Sequence, residues 1–503
     1  MSYAGLDIGQ TGCKAVVFDE RGLQLAASYR EYPTIMPREG WAEIDSRAVM
    51  ESCFEVLREV NGACGADPVR ALAVSCMGEA FTPVGQGGEY LANAMITFDT
   101  RAAKIAESWS GKYGVKRLYS VTGHTAHPMF SVFKLLWLRD NRPEVFRKAL
   151  KFLCFEDLFH HALGLEPGIS YCLAARTMMF DVRGRRWDGG ILRSVGVDET
   201  RLAAPVPSGA AVGTIPRSVS EGLGFEGEVL VAAGGHDQPM GALGAGVAEP
   251  GKAMYATGTS EAITPVFAEA VFNRDLMKCN ICTYEYTLEG MYTTVAFSLT
   301  GGNILRWFRD QWAQAEVEEA ARRGVDAYEL ILARMSPRPT KLLVLPYFTP
   351  SGTPYFDTET AGAILGLRLS TARGEVLRAL LEGVTLEMRL NLDILRQAGI
   401  RVDELRAIGG GAKSRAWIQL KADVLDKPIT TVQVTEAACL AGAMFACSAR
   451  TGEPAASIAK RWVKTGPVIE PNPDNAAVYE RKFASYLRLY PAVKALGLGG
   501  GSA

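Results

Sequence analysis

The sequence predicts an α/β fold in two lobes, each built on a mixed sheet. Three observations predict it: an opening series of short strand patterns, a switch to alternating helix and strand, and a second run of the same order near the middle of the chain. Tyr3 to Ile8, Lys14 to Asp19 and Leu23 to Tyr29 alternate as strands around a Gly-rich turn and Glu20-Arg21-Gly22, which makes an antiparallel meander. From Ser46, Val49, Met50, Cys53, Phe54, Leu57 and Val60 recur at spacings of three and four, predicting a helix capped by Asp45 or Ser46. Ala71 to Ser75 continues as a strand. Later parallel strands need helical crossovers where the opening hairpins do not.

The second run begins after the strand Val229 to Ala233 and the small-residue stretch Gly241 to Gly246. Ala253 to Thr257, a Gly/Thr/Ser turn and Ala262 to Phe267 read as another copy of the opening hairpin. Val376, Leu377, Leu380, Leu381 and Val384 form a helical apolar stripe, followed by the strand Leu405 to Ile408, the turn Gly409-Gly410-Gly411 and a helix from Ser414 to Leu425. Domains are expected at residues 1–246 and 247–490, with 491–503 as a flexible Gly/Ser-rich tail.

A chain of 503 residues, 48% hydrophobic, can fill more than one ordinary core. Lys and Arg number 54 and Asp and Glu 55, a net charge of -1, so no bulk field attracts nucleic acid or an anionic membrane. Small-molecule partners are expected. The first residues lack the basic and apolar regions of a signal peptide, and runs such as Leu342 to Leu345 are too short to span a bilayer, so a cytoplasmic location is expected. Ten scattered cysteines make no disulfide framework. Cys279 and Cys282 have the spacing of half a zinc site, but no second Cys or His pair follows to complete four ligands.

Four segments carry chemistry. Asp7-Ile8-Gly9-Gln10-Thr11-Gly12-Cys13-Lys14 is a tight turn whose amides, Thr11 hydroxyl and Lys14 ammonium suit an anion, beside a carboxylate suited to Mg2+; a plain hairpin reads the same way. Its counterpart, Ala256-Thr257-Gly258-Thr259-Ser260, could hold the other end of a triphosphate. No G-x-x-x-x-G-K-[ST] occurs, which disfavours P-loop chemistry. In Gly234-Gly235-His236-Asp237-Gln238, Asp237 stands at a strand end, where open α/β sheets place ligands, and fits a general base; its competing reading is a helix cap. His236 is expected to be structural rather than catalytic, since neighbouring side chains on an extended segment, such as those of His236 and Asp237, face opposite ways. Gly410 and Gly411, between strand and helix, let backbone approach an adenosine.

Together these pieces resemble the FGGY carbohydrate kinases. The most specific stretches are Met129-Phe-Ser131-Val-Phe-Lys134-Leu-Leu-Trp137-Leu-Arg-Asp140-Asn141, and Gly362-Ala-Ile364-Leu-Gly366-Leu367 continuing through Glu375 to Gly383. The resemblance implies two actin-like (ribonuclease H-like) ATPase domains with a cleft between them, ATP and Mg2+, and a small sugar or polyol substrate; it leaves a homodimer open. It assigns Asp237 as catalytic base and metal neighbour, Asp7 to Mg2+, Gln10, Thr11, Gly12 and Lys14 to phosphates, and Thr257, Gly258, Gly302, Gly410 and Gly411 to the nucleotide.

For the sugar, it implies Gly78, Glu79, Asp99, Arg101 and Gln238. Glycerol kinases carry Arg-Glu where this chain has Gly78-Glu79, and a Tyr at Met129; Asp99 and Arg101 resemble a W-x-D-x-R element with its Trp replaced by Thr97. Leu345 to Gly352 lacks the Glu-Arg that follows in many pentulose kinases. The lost glycerol-site walls leave room for a larger substrate, a pentulose-like ketose or a C4 to C6 polyol, while the missing Glu-Arg counts against a plain xylulose kinase. A competing reading for Asp99 and Arg101 is a surface ion pair. A non-enzymatic actin-like scaffold or sensor, or a chaperone-like ATPase, would need neither the base nor the sugar carboxylates.

Overall fold

In the computed structural model, residues 1–64 and 67–497 are described. Strands β1 (Ser2–Ile8), β2 (Gly12–Phe18) and β3 (Gln24–Glu31) form the expected meander, with β1 and β2 in register from Tyr3 opposite Phe18 to Ile8 opposite Cys13. Helix α1 (Ser46–Ala63) is capped by Asp45, whose carboxylate accepts from the Arg47 amide, and buries Val49, Met50, Cys53, Leu57 and Val60. That face leads into β4 (Val69–Cys76), parallel to β1, and β5 (Leu230–His236) runs parallel to β4. Helix α2 (Asp237–Gly244) starts where β5 ends.

The second lobe repeats this topology. Strand β6 (Lys252–Thr257) pairs antiparallel with β7 (Glu261–Phe267) and parallel with β8 (Glu404–Ile408), and β9 (Ile429–Val432) lies parallel to β8. The helices α3 (Gly302–Trp312), α4 (Arg373–Gln397), α5 (Arg415–Leu425) and α6 (Ala437–Thr451) complete the part that bears on the site. The internal repeat is thus a repeat of pairing order. Side-chain alternation and the glycine turns carry that order even where the two halves differ in sequence.

Helix α6 belongs by sequence to the second half yet packs on β1, β4 and β5 of the first sheet, beside α2. The approach is close: a side chain on Gly5 would stand 1.8 Å from the carbonyl oxygen of Cys439, and one on Gly244 1.8 Å from that of Ala437. Tyr3, Phe18, Met240 and Leu243 share a core with Leu440, Met444 and Phe445. Each such side chain stabilises by about 1.5–3 kcal/mol. Helix α6 therefore joins the second half of the chain to the first sheet.

The tail differs from expectation. Leu489–Ala495 is helical, and Leu489 and Val493 are buried, because the apolar residues before the Gly-rich end find a face to cover; positions 498–503 lie outside the described residues. Among the described residues no helix is long and apolar enough to cross a membrane.

Candidate active site

Asp237 is aimed by an irregularity in its strand. The register between β5 and β4 shifts between Ala232 and Gly235, a bulge that bends the strand end. The Gly234 amide freed by that shift donates to Glu156 at 2.7 Å, and the other oxygen of Glu156 accepts from the amide and hydroxyl of Ser170. Past this anchor the chain turns directly into α2, so Asp237 faces a cavity of about 260 Å³ between the lobes.

The first lobe supplies the polar wall of this cavity: Gln10, Glu79, Thr97, His124, Arg176 and Gln238. The second supplies a largely apolar one, with Val295, Phe297, Leu299 and Phe356. Glu79 follows β4 with φ of 65°, a left-handed backbone that costs a non-glycine residue about 1–2 kcal/mol. Its carbonyl accepts from the Ser131 hydroxyl (2.9 Å) and from buried Lys134 (3.1 Å), which hold this conformation. Its carboxylate then pairs with Arg176 and accepts from Thr97 at 3.1 Å.

The carboxyl of Asp237 is pushed up to about 7 by burial, with the neighbouring charges of Asp7 and Glu79 adding to the effect. Its side chain is nevertheless 37% exposed, because the carboxylate opens onto the cavity while dense protein surrounds its other sides. A base poised near neutrality at a cavity wall suits proton abstraction from a hydroxyl. Asp7 accepts from the Ser75 hydroxyl at 2.8 Å and is raised to about 6, by burial and by Glu436.

A second cavity, of about 700 Å³, is lined by Thr257, Gly258, Thr259, Gly302, Gly410, Gly411, Ser414 and Trp417. The β6–β7 turn divides the two cavities: Ser260 faces the first, Thr257 to Thr259 the second. The amides of Gly302 and Asn303 at the start of α3 donate to the carbonyls of Gly258 and Thr259, which fixes the turn. Gln10, Gln238 and Thr257 each keep a buried side-chain oxygen without a protein partner, as expected of groups that meet ligands.

Gly411 has no room for a side chain, since a Cβ there would lie 2.2 Å from Cγ2 of Thr257; at Gly410 nothing stands within 4 Å. We therefore expect Gly411→Val to raise the KM for ATP at least about tenfold, and Gly410→Ala to change it less than about twofold. Initial rates against ATP concentration check both.

The expected residues thus divide. Gln10, Gly78, Glu79, Asp237 and Gln238 meet at the first cavity, and Thr257, Gly258, Gly302, Gly410 and Gly411 at the second. Asp99 and Arg101 do not reach either. Both are buried, with Arg101 paired to Asp99 and to Glu43 at 2.7 Å and stacked over Trp41, while Asp99 accepts from the Ala42 amide. A spacing of two lets them pair locally, and the Trp rings at 41 and 137 stack on Arg101.

Thr11 is exposed, and Gly12 is packed too tightly for a side chain, beneath Tyr29 and the Arg30 carbonyl. Lys14 pairs with Glu436 at 2.7 Å, linking β2 to the start of α6. His236 is a further correction: its Nε2 lies 3.1 Å from Asp237 Oδ1, because strand alternation ends at the junction with α2 and the two side chains converge. Arg176, His124 and the second-lobe wall had no local sequence signal. Cys282 also lines the first cavity, with its thiol 3.4 Å from the Thr294 hydroxyl.

Nucleotide and metal fit these surroundings. The turn Thr257 to Thr259 borders the larger cavity, and the start of α5 at Ser414 opens onto it. Among the described residues no three His, Cys, Asp or Glu side chains cluster to cage a metal. Mg2+ characteristically keeps water and takes one or two carboxylates plus phosphates, and Asp7 with Asp237 could supply them.

Comparison with known proteins gives a consistent result. The profile for the N-terminal domain of the FGGY family of carbohydrate kinases matches residues 2–244, and that for its C-terminal domain residues 256–450. A xylulose kinase of Bacillus subtilis is 26% identical over 500 residues, covering 99% of this chain and 98% of that protein. A gluconokinase of the same organism is 25% identical over 441 residues, covering 87% and 85%. A crystal structure described as a xyloylose kinase from Brucella ovis superposes with a TM-score of 0.89 at 25% identity, over 99% of this chain and 100% of that one.

Proposed function

Because the chain belongs to the FGGY family of carbohydrate kinases, we propose that Asp237 is the base that takes the proton from a sugar hydroxyl as that oxygen attacks the γ-phosphorus of ATP. The enzyme phosphorylates a small sugar or polyol with ATP. The observation that supports the role of Asp237 is its position at the wall of the smaller cavity, with the β6–β7 turn separating it from the larger one. Phosphoryl transfer needs little covalent help; it needs the hydroxyl in line, its proton accepted and the phosphate charge stabilised.

In this reading the hydroxyls of the substrate rest against Glu79, Gln238 and Gln10, and the apolar second-lobe wall covers its C–H face. Thr257, Gly258 and Gly302 hold the phosphates, and Gly410 and Gly411 border the adenosine. Mg2+, held through Asp7 and Asp237 and by the phosphates, would neutralise charge that develops in transfer. Thr11 and Lys14 reach phosphate only if the Lys14–Glu436 pair opens on binding. A pentulose-like ketose or a C4 to C6 polyol suits a cavity of about 260 Å³. A scaffold or sensor would have no use for a base raised toward neutrality beside an oriented Glu79.

The test couples ADP release to a readout over small ketoses and polyols. At least one should raise turnover well above the rate with ATP alone; an undiminished basal ATPase with no response to any of them would contradict the proposal. The pH dependence follows from Asp237, which must be ionised to accept a proton. Since its pKa stands at about 7, kcat/KM for the sugar should be level above neutrality and fall about tenfold per unit below it. A rate that increases on acidification from pH 8 to 6 would oppose this assignment.

A further inference from the structure

We infer that the smaller cavity selects an uncharged polyhydroxylated substrate and rejects sugar acids of the same length, because Glu79 neutralises the one cation in its wall. This deepens the kinase reading above and rests on it. Overall similarity does not choose between the classes, since a xylulose kinase and a gluconokinase both match the chain at about one residue in four. The wall itself does.

Among the described residues that line the cavity, Arg176 is the only Lys or Arg. Its Nε donates to Glu79 Oε1 at 2.5 Å, and Nη2 pairs with the same carboxylate. Its Nη1 is 3.1 Å from His124 Nε2. The direction of that bond is fixed: Nδ1 of His124 lies 2.6 Å from the Thr122 carbonyl, which can only accept, so Nδ1 holds the proton and Nε2 accepts from Arg176.

His124 is therefore neutral, and burial together with Arg176 keeps it so, down to about pH 3. Lys134 lies behind the wall, fully buried against the Glu79 carbonyl. The cavity thus presents two carboxylates, Asp237 and Glu79, against one guanidinium that is already paired. An incoming carboxylate would meet no free cation, the charge of Asp237 and a Glu79 already offset by Arg176, whereas hydroxyls can donate to both acids and accept from Arg176.

The arrangement was assembled across the sequence. Glycine at position 78 leaves space for it, because a Cβ there would press on His236 at 3.0 Å and on Arg176 at 3.4 Å. The cation comes instead from position 176, where it can be tied to Glu79 rather than to a ligand. Removing the Glu79 charge while keeping its shape should free that cation.

The experiment measures ADP release with matched pairs that differ at one terminal carbon: D-glucitol with D-gluconate, and xylitol with D-xylonate, with D-xylulose as a further neutral compound. The wild-type protein should show kcat/KM for its best neutral compound at least about 100-fold above that for either acid. Glu79→Gln should raise kcat/KM for an acid about tenfold and lower that for the neutral compound by a similar factor. Arg176→Met, which removes the cation, should give no gain with acids.

Preferential turnover of an acid by the wild-type protein would overturn this inference and leave the kinase reading standing. A Glu79→Gln protein that is folded by circular dichroism yet keeps the wild-type preference would do the same, as would a gain with acids in Arg176→Met. ADP release with none of the five compounds, acid or neutral, would remove the kinase reading and the inference with it. The wild-type comparison alone suffices if either variant fails to fold.

Discussion

Replacing Asp237 by Asn should reduce kcat by about 10³-fold, equivalent to about 4 kcal/mol of transition-state stabilisation, while ADP affinity changes less than about twofold. Asparagine keeps the shape and the start of α2 but cannot take a proton. The same substitution should leave the protein as stable as before, or more so, at pH 8. A carboxyl raised to about 7 in the fold from an ordinary 3.8 costs stability progressively as pH rises between those values and in full above about 7, since burial, Asp7 and Glu79 all oppose its ionisation there. Losing activity while holding or gaining stability is the pattern of a functional group maintained against the preference of the fold. Single-turnover kinetics and thermal melts at pH 8 check the two halves, and a variant that lost both together would indicate a structural role.

The second large effect is expected behind the nucleotide turn. Lys421 of α5 and Glu261 of β7 form an ion pair with both side chains fully buried, and the Tyr255 hydroxyl contacts both. Glu261 follows the Thr257 to Ser260 turn directly, and Trp417, one turn before Lys421, lines the larger cavity. The pair therefore ties the phosphate side of that cavity to the adenosine side. Lys421→Met leaves a buried carboxylate without a partner and should cost about 3–5 kcal/mol. For a lobe of this size that is a drop of about 10 °C in its melting transition. Adding Glu261→Gln should restore more than half of the loss, because the uncompensated charge is the source of the penalty. Calorimetry of the single and double variants measures both, and additive losses would exclude a charge origin.

The sequence carried the local geometry well. Alternation and apolar stripes place β1 to β4 and the start of α1 within one or two residues of where they lie, β5 runs three residues beyond its expected end, and Gly409 to Gly411 mark a turn where Gly409 adopts φ of 91°. The strand end that bears Asp237 was legible because Gly234 to Gln238 is contiguous. What did not show was convergence. Arg176, Asn280, Phe297 and Phe356 reach one cavity from four separate segments, and nothing in Leu173-Ala174-Ala175-Arg176-Thr177 marks its Arg as a wall residue. Asp99 and Arg101 failed in the opposite sense: a motif suggested ligand contact, and packing against Trp41 and Trp137 closed them off. Likewise the alternation rule gave His236 the wrong direction because it holds inside a strand and not at its end.

The most direct measurement is a crystal structure of the protein with a non-hydrolysable ATP analogue and a neutral sugar that it phosphorylates. The account predicts the acceptor hydroxyl within about 3.2 Å of the Asp237 carboxylate and in line with the γ-phosphorus, with Thr257 and Gly258 on the phosphates. A sugar bound with that hydroxyl turned away from Asp237, or a nucleotide outside the cavity bordered by Thr257 and Gly411, would contradict it.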